Sequence, residues 1–325
     1  MTTETETSPE IARPADPHAI PVASRLRRSR RLWRTLFFVA LLVAVVALAG
    51  RFALEGSAGG GTERIARIEV DGTIVTDPDR LRAMERLAED PNVAAVIVAI
   101  NSPGGSTAGG EELYEALRRL GADKPVVSVV KEMGASAAYM TAIATEQIFA
   151  RRLSIVGSIG VLYQHVNAAG LLDTIGIDLD KVASGPLKAE PDFSGPMSPE
   201  ARASIAALVN DSFQWFVDAV AEERGMTRLE ALGLSDGRIV SGRMALESGL
   251  IDQIGGEAEA IAWLAETHDI DPELPVRTAY PEPDEGFGGL MRLLRGEARS
   301  ILGLPARGPI MLDGLVSLWQ VEPSL

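Results

Sequence analysis

The chain has no cysteine and few histidines, and both shortages restrict the chemistry that it can perform. Without cysteine there can be no disulfide, no thiolate nucleophile and no cysteine-ligated metal site. The histidines are His18, His165 and His268. So few imidazoles limit both metal sites and Ser-His-Asp chemistry. We therefore expect no metal and no cofactor.

Basic residues are also scarce, and they are unevenly placed. The 325 residues carry a net charge of −14, which argues against a nucleic-acid partner because the chain lacks the cations to neutralise phosphates. Residues 1–34 hold seven arginines and four acidic residues. The remaining 24 basic and 41 acidic residues give the rest of the chain a net charge of −17. A basic head thus precedes an acidic body.

The head joins a basic segment to an apolar run. Residues 1–24 are polar, and we expect them to be disordered. Six arginines stand between Arg25 and Arg34, and an apolar run from Thr35 to Gly50 follows at once. A transmembrane helix needs about 20 residues, and apolar neighbours on both sides extend this run towards that length. The sequence predicts one membrane span here.

The arginines also predict the orientation of the span. Positive charge before a span favours a cytoplasmic N-terminus, so we expect the acidic body to be periplasmic or extracellular. A cleaved signal peptide is an open alternative, because ALAG offers a small-residue cleavage site. A buried core helix is disfavoured by the arginines before the run and by the flexible GSAGGG linker after it.

Changes in composition divide the chain into five predicted segments. These are a disordered basic cytoplasmic head (1–31), a transmembrane helix (32–54), a flexible linker (55–63), a folded domain (64–280) and a C-terminal tail (281–325). The tail is apolar in patches, which is typical of a segment that packs in an oligomer.

Strand and helix patterns alternate through the body and predict an α/β domain with mostly parallel strands. The continuous apolar runs NVAAVIVAI and KPVVSVV are typical of strands buried on both faces. We expect IARIEVDGTIV to form two strands joined by a DG turn, and DLDKVAS to form a polar strand. A long amphipathic helix is predicted from Pro199 to Gly225.

The NSPGGS segment, Asn101 to Ser106, directly follows one of the buried runs. We expect a glycine-rich loop at the carboxyl edge of the sheet, where ligands of α/β proteins bind. Adjacent glycines let backbone N–H groups approach a ligand closely, and such groups can hold an oxyanion. A plain tight turn explains the same residues.

Ser136 lies in MGASAAYM, between a second buried run and a helical pattern. A serine at a strand-to-helix junction benefits from the free N–H groups of the helix, which stabilise negative charge. Its small neighbours leave room for a substrate carbonyl. Ordinary packing of alanine and serine in a helix is the competing explanation.

A nucleophilic serine needs a base, and the chain offers His165 or one of four lysines. These lysines are Lys124, Lys131, Lys181 and Lys188. A lysine base must be neutral, and burial favours that form. Lys188 stands among small and apolar residues in SGPLKAEPDFSGP. From the residues alone the choice between His165 and Lys188 stays open.

Four motifs occur in an order that resembles one known family. They are NSPGG, MGASAAYM, GSIG (Gly157 to Gly160) and SGPLK. Together, behind one N-terminal span, they resemble signal peptide peptidase A, a family of serine–lysine peptidases with a Clp/crotonase-type βαβ superhelical fold. The resemblance runs from about Ile65 to Leu264, and the separation of 52 positions from the serine to the lysine matches the short, single-half form.

The resemblance implies a role for each of these residues. Ser136 is the expected nucleophile, Lys188 the general base and Ser158 the group that orients the lysine. The backbone N–H groups of Gly105 and Ala137 are the expected oxyanion hole. The expected substrate-binding residues are Ser102, Gly104 and Gly160.

The reaction is expected to be hydrolysis of cleaved signal peptides and other apolar peptides at the membrane. A single-half chain is expected to form a homo-oligomeric ring, in which Lys188 acts within its own subunit or on a neighbour.

Three other functions compete with this hypothesis. A crotonase-type enzyme would act on acyl-CoA, which an extracytoplasmic body would not meet. A non-catalytic scaffold would bind peptides without cleaving them, although the sequence keeps both Ser136 and Lys188. A Clp-like peptidase would use a histidine and stay active without Lys188.

Overall fold

The computed structural model describes residues 33–34, 36–44, 62–281 and 316–318. The chain separates into two units, Met1–Thr62 and Glu63–Leu325. In the first unit, residues 33–34 and 36–44 are helical and expose large apolar side chains such as Phe37 and Leu42. Among the described residues, no helix has the length and apolar character to cross a membrane. The predicted head, the predicted linker up to residue 61 and most of the predicted span lie outside the described residues.

The second unit alternates strands with helices. Its strands are β1 (Arg64–Ile74), β2 (Val93–Ser106), β3 (Val126–Ala135), β4 (Gln147–Ala150), β5 (Ile155–Gly157), β6 (Ile239–Ser241), β7 (Gln253–Ile254), β8 (Val276–Tyr280) and β9 (Val316–Leu318). Its helices are α1 (Pro78–Glu89), α2 (Thr107–Asp123), α3 (Ala137–Ile143), α4 (Ala169–Ile175), α5 (Pro199–Glu223), α6 (Arg228–Gly233), α7 (Gly242–Glu247) and α8 (Glu257–His268).

The described strands form one mixed sheet in the order β6-β5-β3-β2-β1-β8. The first three strands pair in parallel, as crossover helices between consecutive strands require. β3 pairs with β4 along Val127–Val130 and then with β5 along Met133–Ala135. β6 and β9 join their neighbours in the antiparallel sense. The predicted α/β class is confirmed at this level.

Apolar residues bury both faces of the sheet. On β2, Val96, Val98 and Ile100 belong to one core cluster, while Ala95 and Ile97 belong to a second cluster on the other face. Because successive side chains of a strand point to opposite faces, the unbroken apolar run fills both cores. The run is therefore explained by a central strand, as its sequence predicted.

A charged network fixes the C-terminal end of α5 to the sheet. Arg224 pairs with Asp252 at 2.5 Å and donates to the carbonyl of Gly249 at 2.9 Å. Asp252 also accepts a hydrogen bond from the N–H of Ile148 in β4 at 2.8 Å. The Arg224 side chain is 9% exposed, so the pair is largely screened from water. The pair thus holds α5 against β4 and the loop before β7.

Three local predictions were wrong. IARIEVDGTIV forms one continuous strand, β1, because the Asp71–Gly72 step produces a register shift against β2 rather than a hairpin. NSPGGS is not a loop, because β2 extends through Ser106. DLDKVAS forms no strand, since its backbone joins no ladder and its side chains are exposed. The long helix from Pro199 is confirmed and ends at Glu223.

Residues 162–198, here called the arm, differ from the rest of the second unit. None of these residues is buried, and α4 within the arm has no buried side chain. The arm nevertheless carries many exposed large apolar residues: Leu162, Val166, Leu171, Ile175, Ile177, Leu179, Val182, Leu187 and Phe193. An apolar surface of this extent is typical of a segment that packs against another molecule.

Candidate active site

The end of β2 runs beside β3, where Ser102 pairs with Gly134, two residues before Ser136. Gly105 pairs with Ile74 of β1, and a Cβ built on Gly105 would lie 1.8 Å from the Ile74 carbonyl oxygen. Only glycine fits there, because any side chain would push the two strands apart. Gly105 therefore serves close strand approach, and it leaves this point of the strand backbone without side-chain cover.

Ser136 sits in the tight turn between β3 and α3. Its backbone has φ 62° and ψ −122°, a conformation that a residue with a Cβ rarely adopts and that costs about 1–3 kcal/mol. Its N–H donates to the carbonyl of Gly157 at 2.8 Å, and its own carbonyl accepts from the N–H of Tyr139 at 2.8 Å. Surrounding structure thus fixes the serine in a strained turn, which is a frequent feature of functional residues.

The helix behind Ser136 is rigidly packed. Every residue of α3 is buried, and the hydroxyl of Tyr139 donates to the carbonyl of Leu250 at 2.7 Å. Burial raises the pKa of Tyr139, so this hydroxyl keeps its proton and its hydrogen bond at neutral pH. Ala137 is the first residue of α3, and the first N–H groups of a helix have no partner within the helix. Its N–H is therefore suited to hold an oxyanion.

Ser136 and Ser158 line one cavity of about 340 Å³. The cavity is bounded by Ser136, Ser158, Gly160, Val161, Leu162, Phe213, Ser235, Asp236 and Gly237. Ser158 follows β5 with φ 50°, and its N–H donates to the carbonyl of Arg238 at 2.8 Å. The structure therefore brings together the two serines that the sequence motifs had singled out, along with Gly160.

One wall of the cavity carries Asp236, whose carboxylate is paired with Arg238. Hydrogen bonds from Arg238 hold the pKa of Asp236 at about 2, so Asp236 is ionised at neutral pH. Val161, Leu162 and Phe213 add an apolar surface to the cavity. Sequence reasoning had placed Phe213 on a long helix and had missed its role as a cavity wall, for which the sequence pattern gave no signal.

Lys188 does not line this cavity. It lies in the arm with an exposed side chain. Of the four lysines among residues 62–281, the other three have partners for their amines. Lys124 donates to the backbone carbonyl of Asp90. Lys131 pairs with Glu69, and Lys181 pairs with Glu190 and Asp192. Within a single chain, the predicted nucleophile and the predicted base are thus in different environments.

Neither described histidine lines the cavity that contains Ser136. His165 Nε2 lies 3.2 Å from the carbonyl oxygen of Gly195, within the arm. His268 Nε2 lies 3.0 Å from a carboxylate oxygen of Glu146, and its ring packs on Trp263. Each imidazole is therefore held by a partner away from the serine.

Ser102 and Gly104, predicted to bind substrate, lie within β2 and do not line the cavity. The Ser102 side chain is fully buried, and its Oγ accepts a hydrogen bond from the N–H of Gly104 at 3.1 Å. Ser102 thus shapes the backbone of the strand end. Its part in substrate binding stays a prediction, as do the roles of Gly105, Ala137 and Gly160.

A strained serine between a buried strand and a buried helix, in a cavity with a second serine, defines the site of a serine hydrolase. Comparison with known proteins narrows this class. Residues 118–271 match the model of peptidase family S49, and this range contains Ser136, Ser158 and Lys188. The chain belongs to this family and is a serine peptidase similar to signal peptide peptidase A.

Several similar proteins carry the names of proteases. One from Synechocystis sp. is 34% identical over 65% of this chain and 76% of its own length. Another from Methanocaldococcus jannaschii is 31% identical over 73% of this chain and 76% of its own length. A protein of Enterococcus faecium named as signal peptide peptidase SppA is 30% identical over 62% of this chain and 63% of its own length.

Proposed function

We propose that the protein is a membrane-anchored endopeptidase that uses Ser136 as nucleophile and Lys188 as general base. The observation that carries the proposal is the backbone of Ser136, which is held at φ 62° beside a cavity of about 340 Å³. Buried hydrogen bonds maintain this strained backbone. The fold by itself does not need a serine at this position. A serine in such a turn presents its hydroxyl to a substrate carbonyl, as in other serine hydrolases.

In the proposed reaction, neutral Lys188 takes the proton of the Ser136 hydroxyl as Oγ bonds to the peptide carbonyl carbon. The N–H groups of Gly105 and Ala137 stabilise the resulting oxyanion. The tetrahedral intermediate collapses, the C–N bond breaks, and the Lys188 ammonium gives its proton to the leaving amine. Water, deprotonated by Lys188, then attacks the acyl-serine and releases the second product. Ser158 orients the lysine amine in both steps.

We further propose that Lys188 reaches the Ser136 of a neighbouring subunit in a homo-oligomeric ring. Lys188 is exposed, belongs to the arm and lies outside the cavity of its own chain. The arm exposes an apolar surface that a second copy would cover. Docking of the arm would also remove water from the lysine, and desolvation favours a neutral amine.

The proposed substrates are cleaved signal peptides and other apolar peptides. Val161, Leu162 and Phe213 give the cavity an apolar wall next to Ser136. The proposed location is the cell membrane, with the N-terminus in the cytoplasm and the peptidase domain outside it. This location rests on the six arginines that precede the apolar run Thr35 to Gly50. Residues 281–325 are proposed as a C-terminal tail that follows the peptidase domain 64–280.

A first experiment compares Ser136→Ala with Ser204→Ala, an exposed serine of α5. Hydrolysis of a fluorogenic apolar peptide by the full chain should fall by at least about 10³-fold in Ser136→Ala and be unchanged in the control. A serine-directed acylating probe should label the wild type and not Ser136→Ala. Equal hydrolysis by both variants would refute the assignment of the nucleophile.

A second experiment tests whether Lys188 acts between subunits. Ser136→Ala and Lys188→Met are each expected to be inactive alone. Mixed after dissociation and reassembled, they should regain about a quarter of wild-type activity, because a subunit with an intact serine then meets a neighbour with an intact lysine. If the mixture stays inactive while the mixed assembly forms, the lysine acts within its own chain.

A further inference from the structure

The elements that meet at the cavity beside Ser136 contribute one charged side chain to its walls. The turn before α3, the residues after β5 and helix α5 supply serine, glycine and apolar residues: Ser136, Ser158, Gly160, Val161, Leu162 and Phe213. Among the described residues that border the cavity, Asp236 is the one with a charge. Its carboxylate therefore dominates the electrostatic environment of any base that acts there.

A neighbouring arginine neutralises that carboxylate. The Nε of Arg238 lies 2.8 Å from both carboxylate oxygens of Asp236, and its Nη2 also donates to Oδ2. The backbone N–H of Arg238 donates to Oδ1 at 3.0 Å, and Gly237, with φ 84°, provides the tight turn between the two residues. Among the described residues, Arg238 is the only charged group that changes the pKa of Asp236. The two side chains thus form one ion pair at the edge of the cavity.

Backbone hydrogen bonds connect this turn to both serines of the site. The carbonyl of Arg238 accepts a hydrogen bond from the N–H of Ser158 at 2.8 Å. The carbonyl of Gly157, the preceding residue, accepts one from the N–H of Ser136 at 2.8 Å. The turn that carries Asp236 is therefore held close to the nucleophile by two consecutive contacts.

An uncompensated carboxylate in this position would work against a base. An amine or imidazole must be neutral to take the Ser136 proton, and a nearby negative charge stabilises its protonated form. A round cavity of about 340 Å³ is about 9 Å across, close to the Debye length at physiological salt, so dissolved ions would screen the charge incompletely. Asp236 is ionised at neutral pH, because the hydrogen bond from Arg238 lowers its pKa to about 2. The positive charge of Arg238 opposes the effect of this carboxylate.

We propose that Arg238 is an electrostatic positioning residue, which neutralises the Asp236 carboxylate so that a base beside Ser136 stays uncharged at neutral pH. The proposal rests on the proposed function, because it assumes that such a base acts in this cavity. Arg238 acts through Asp236, since its own side chain does not border the cavity. Both side chains of the pair are exposed, so the pair adds little to the stability of the fold.

The test is the pH dependence of kcat/KM for an apolar peptide, because its acidic limb reports the pKa of the base in the free enzyme. Four full-length proteins are compared at about 10 mM ionic strength, where the Debye length is about 30 Å. They are the wild type, Arg238→Gln, Asp236→Asn and the double variant Asp236→Asn/Arg238→Gln.

The two single variants should move the midpoint of this limb in opposite directions. Arg238→Gln should raise it by about 0.3–1 pH unit, since the Asp236 carboxyl, with an ordinary pKa of 3.8, stays charged without its partner. Asp236→Asn should lower the midpoint by a similar amount, because it leaves the arginine charge alone. The double variant should return to within about 0.2 pH unit of the wild type, since it removes both charges.

Two further variants and a change of salt serve as controls. Arg243→Gln makes the same change in net charge by breaking an exposed pair with Glu247 that does not border the cavity, and it should leave the midpoint unchanged. Arg238→Lys keeps the positive charge and should keep the midpoint near that of the wild type. At about 1 M salt all shifts should shrink, because the Debye length falls to about 3 Å.

Three results would overturn the proposal. One is an Arg238→Gln protein with the wild-type midpoint, whatever its overall rate, because the arginine would then only support the local structure. Another is a shift that persists in the double variant, because the charge of Asp236 would not be its cause. The third is an equal shift in Arg243→Gln, because the net charge of the protein would then explain it.

A labelling measurement separates this proposal from the proposed function. The rate at which a serine-directed acylating probe labels Ser136 reports the base without hydrolysis of a peptide, and it should show the same shifts. If the labelling midpoints shift but no protein cleaves peptides, the proposed function fails and the role of Arg238 stands. If Lys188→Met keeps both the labelling rate and the shifts, the base is another residue and the role of Arg238 stands. If hydrolysis is normal and no midpoint moves, the proposal for Arg238 alone fails.

Discussion

The sheet and the arm both carry many large apolar side chains, yet these are buried to opposite degrees. Val98 in β2 is 0% exposed, whereas Val182 in the arm is 101% exposed. The sheet buries its valines within one chain, while the arm offers its apolar side chains to its surroundings. Ser136 belongs to the first region and Lys188 to the second. The nucleophile is therefore positioned by the folding of one chain, and the position of the proposed base depends on what the arm packs against.

The largest expected effect is a loss of activity, without a loss of stability, when one lysine of the arm is replaced. Lys188→Met should lower kcat/KM for an apolar peptide by about 10²–10⁴-fold, because a positioned general base contributes that much. The matched control Lys181→Met should retain activity, since Lys181 pairs with Glu190 and Asp192 away from the cavity. Both proteins should unfold at the wild-type urea concentration. Comparable losses of activity in the two variants would mean that the arm needs its charges and that Lys188 is not the base.

A large loss of stability is expected where the sheet region contains a buried ion pair. Arg224→Met leaves Asp252 without its partner and should destabilise the fold by about 3 kcal/mol in urea unfolding. The double variant Arg224→Met/Asp252→Leu should recover part of the loss, because it removes the unpaired charge as well. If the double variant is the less stable of the two, the cost lies in packing rather than in the charge.

Two glycines allow the next comparison. Gly105→Ala should cost about 1–3 kcal/mol and impair hydrolysis, because the new Cβ would meet the Ile74 carbonyl oxygen at 1.8 Å. Gly185→Ala, in the arm, should be nearly neutral, since no atom lies within 4 Å of its added Cβ. Urea unfolding and peptide hydrolysis measure both effects. A tolerated alanine at residue 105 would show that the ends of β1 and β2 separate easily.

The same substitution at two valines gives a smaller difference. Val98→Ala should lower the free energy of unfolding by about 2 kcal/mol, because it leaves a cavity in the core. Val182→Ala should change it by less than about 0.5 kcal/mol. Sedimentation velocity should show instead that Val182→Ala weakens oligomer formation. A stability loss in Val182→Ala under conditions where the protein is monomeric would contradict the description of the arm as an unpartnered surface.

The smallest expected effect is a titration confined to the arm. A hydrogen bond from Lys181 holds the pKa of Asp192 at about 2, below its ordinary value of 3.8. A lowered pKa means that the contact stabilises the arm above pH 3.8 and is lost as the pH falls towards about 2. Carboxyl NMR should follow this change, with peptide hydrolysis measured after return to neutral pH. Lys181→Met should move the Asp192 pKa back towards 3.8, and an unchanged pKa would assign the shift to the Ser194 N–H instead.

The sequence predicted the order of the main elements because their patterns are local. The apolar run of β2, the Pro199 helix and the small residues around Ser136 each carry their own signal, and the structure places them accordingly. The motifs also predicted that Ser136, Ser158 and Gly160 belong to one site, and these three line one cavity.

Predictions failed where contacts distant in sequence decide the structure. The Asp71–Gly72 step is a hairpin signal by itself, but β2 pairs along the whole of β1 and keeps it one strand. NSPGGS has loop composition, but its glycines admit the Ile74 backbone and the strand continues. Pairing of the tail with β2 had no sequence signal, because a strand of three residues fits many partners. The location of Lys188 relative to Ser136 depends on packing of the arm, which no local pattern encodes.

The close contact at Gly105 limits the positions at which this enzyme can accept substitutions during evolution. Each possible side chain at that position would collide with Ile74, so the strand that supports the proposed oxyanion hole cannot be adjusted by single substitutions there. Val161, Leu162 and Phe213 border the cavity that contains Ser136, and no such contact restricts them. New peptide preferences should therefore arise at these three walls. A library of variants randomised at the walls should yield altered cleavage preferences far more often than one randomised across Gly104–Ser106.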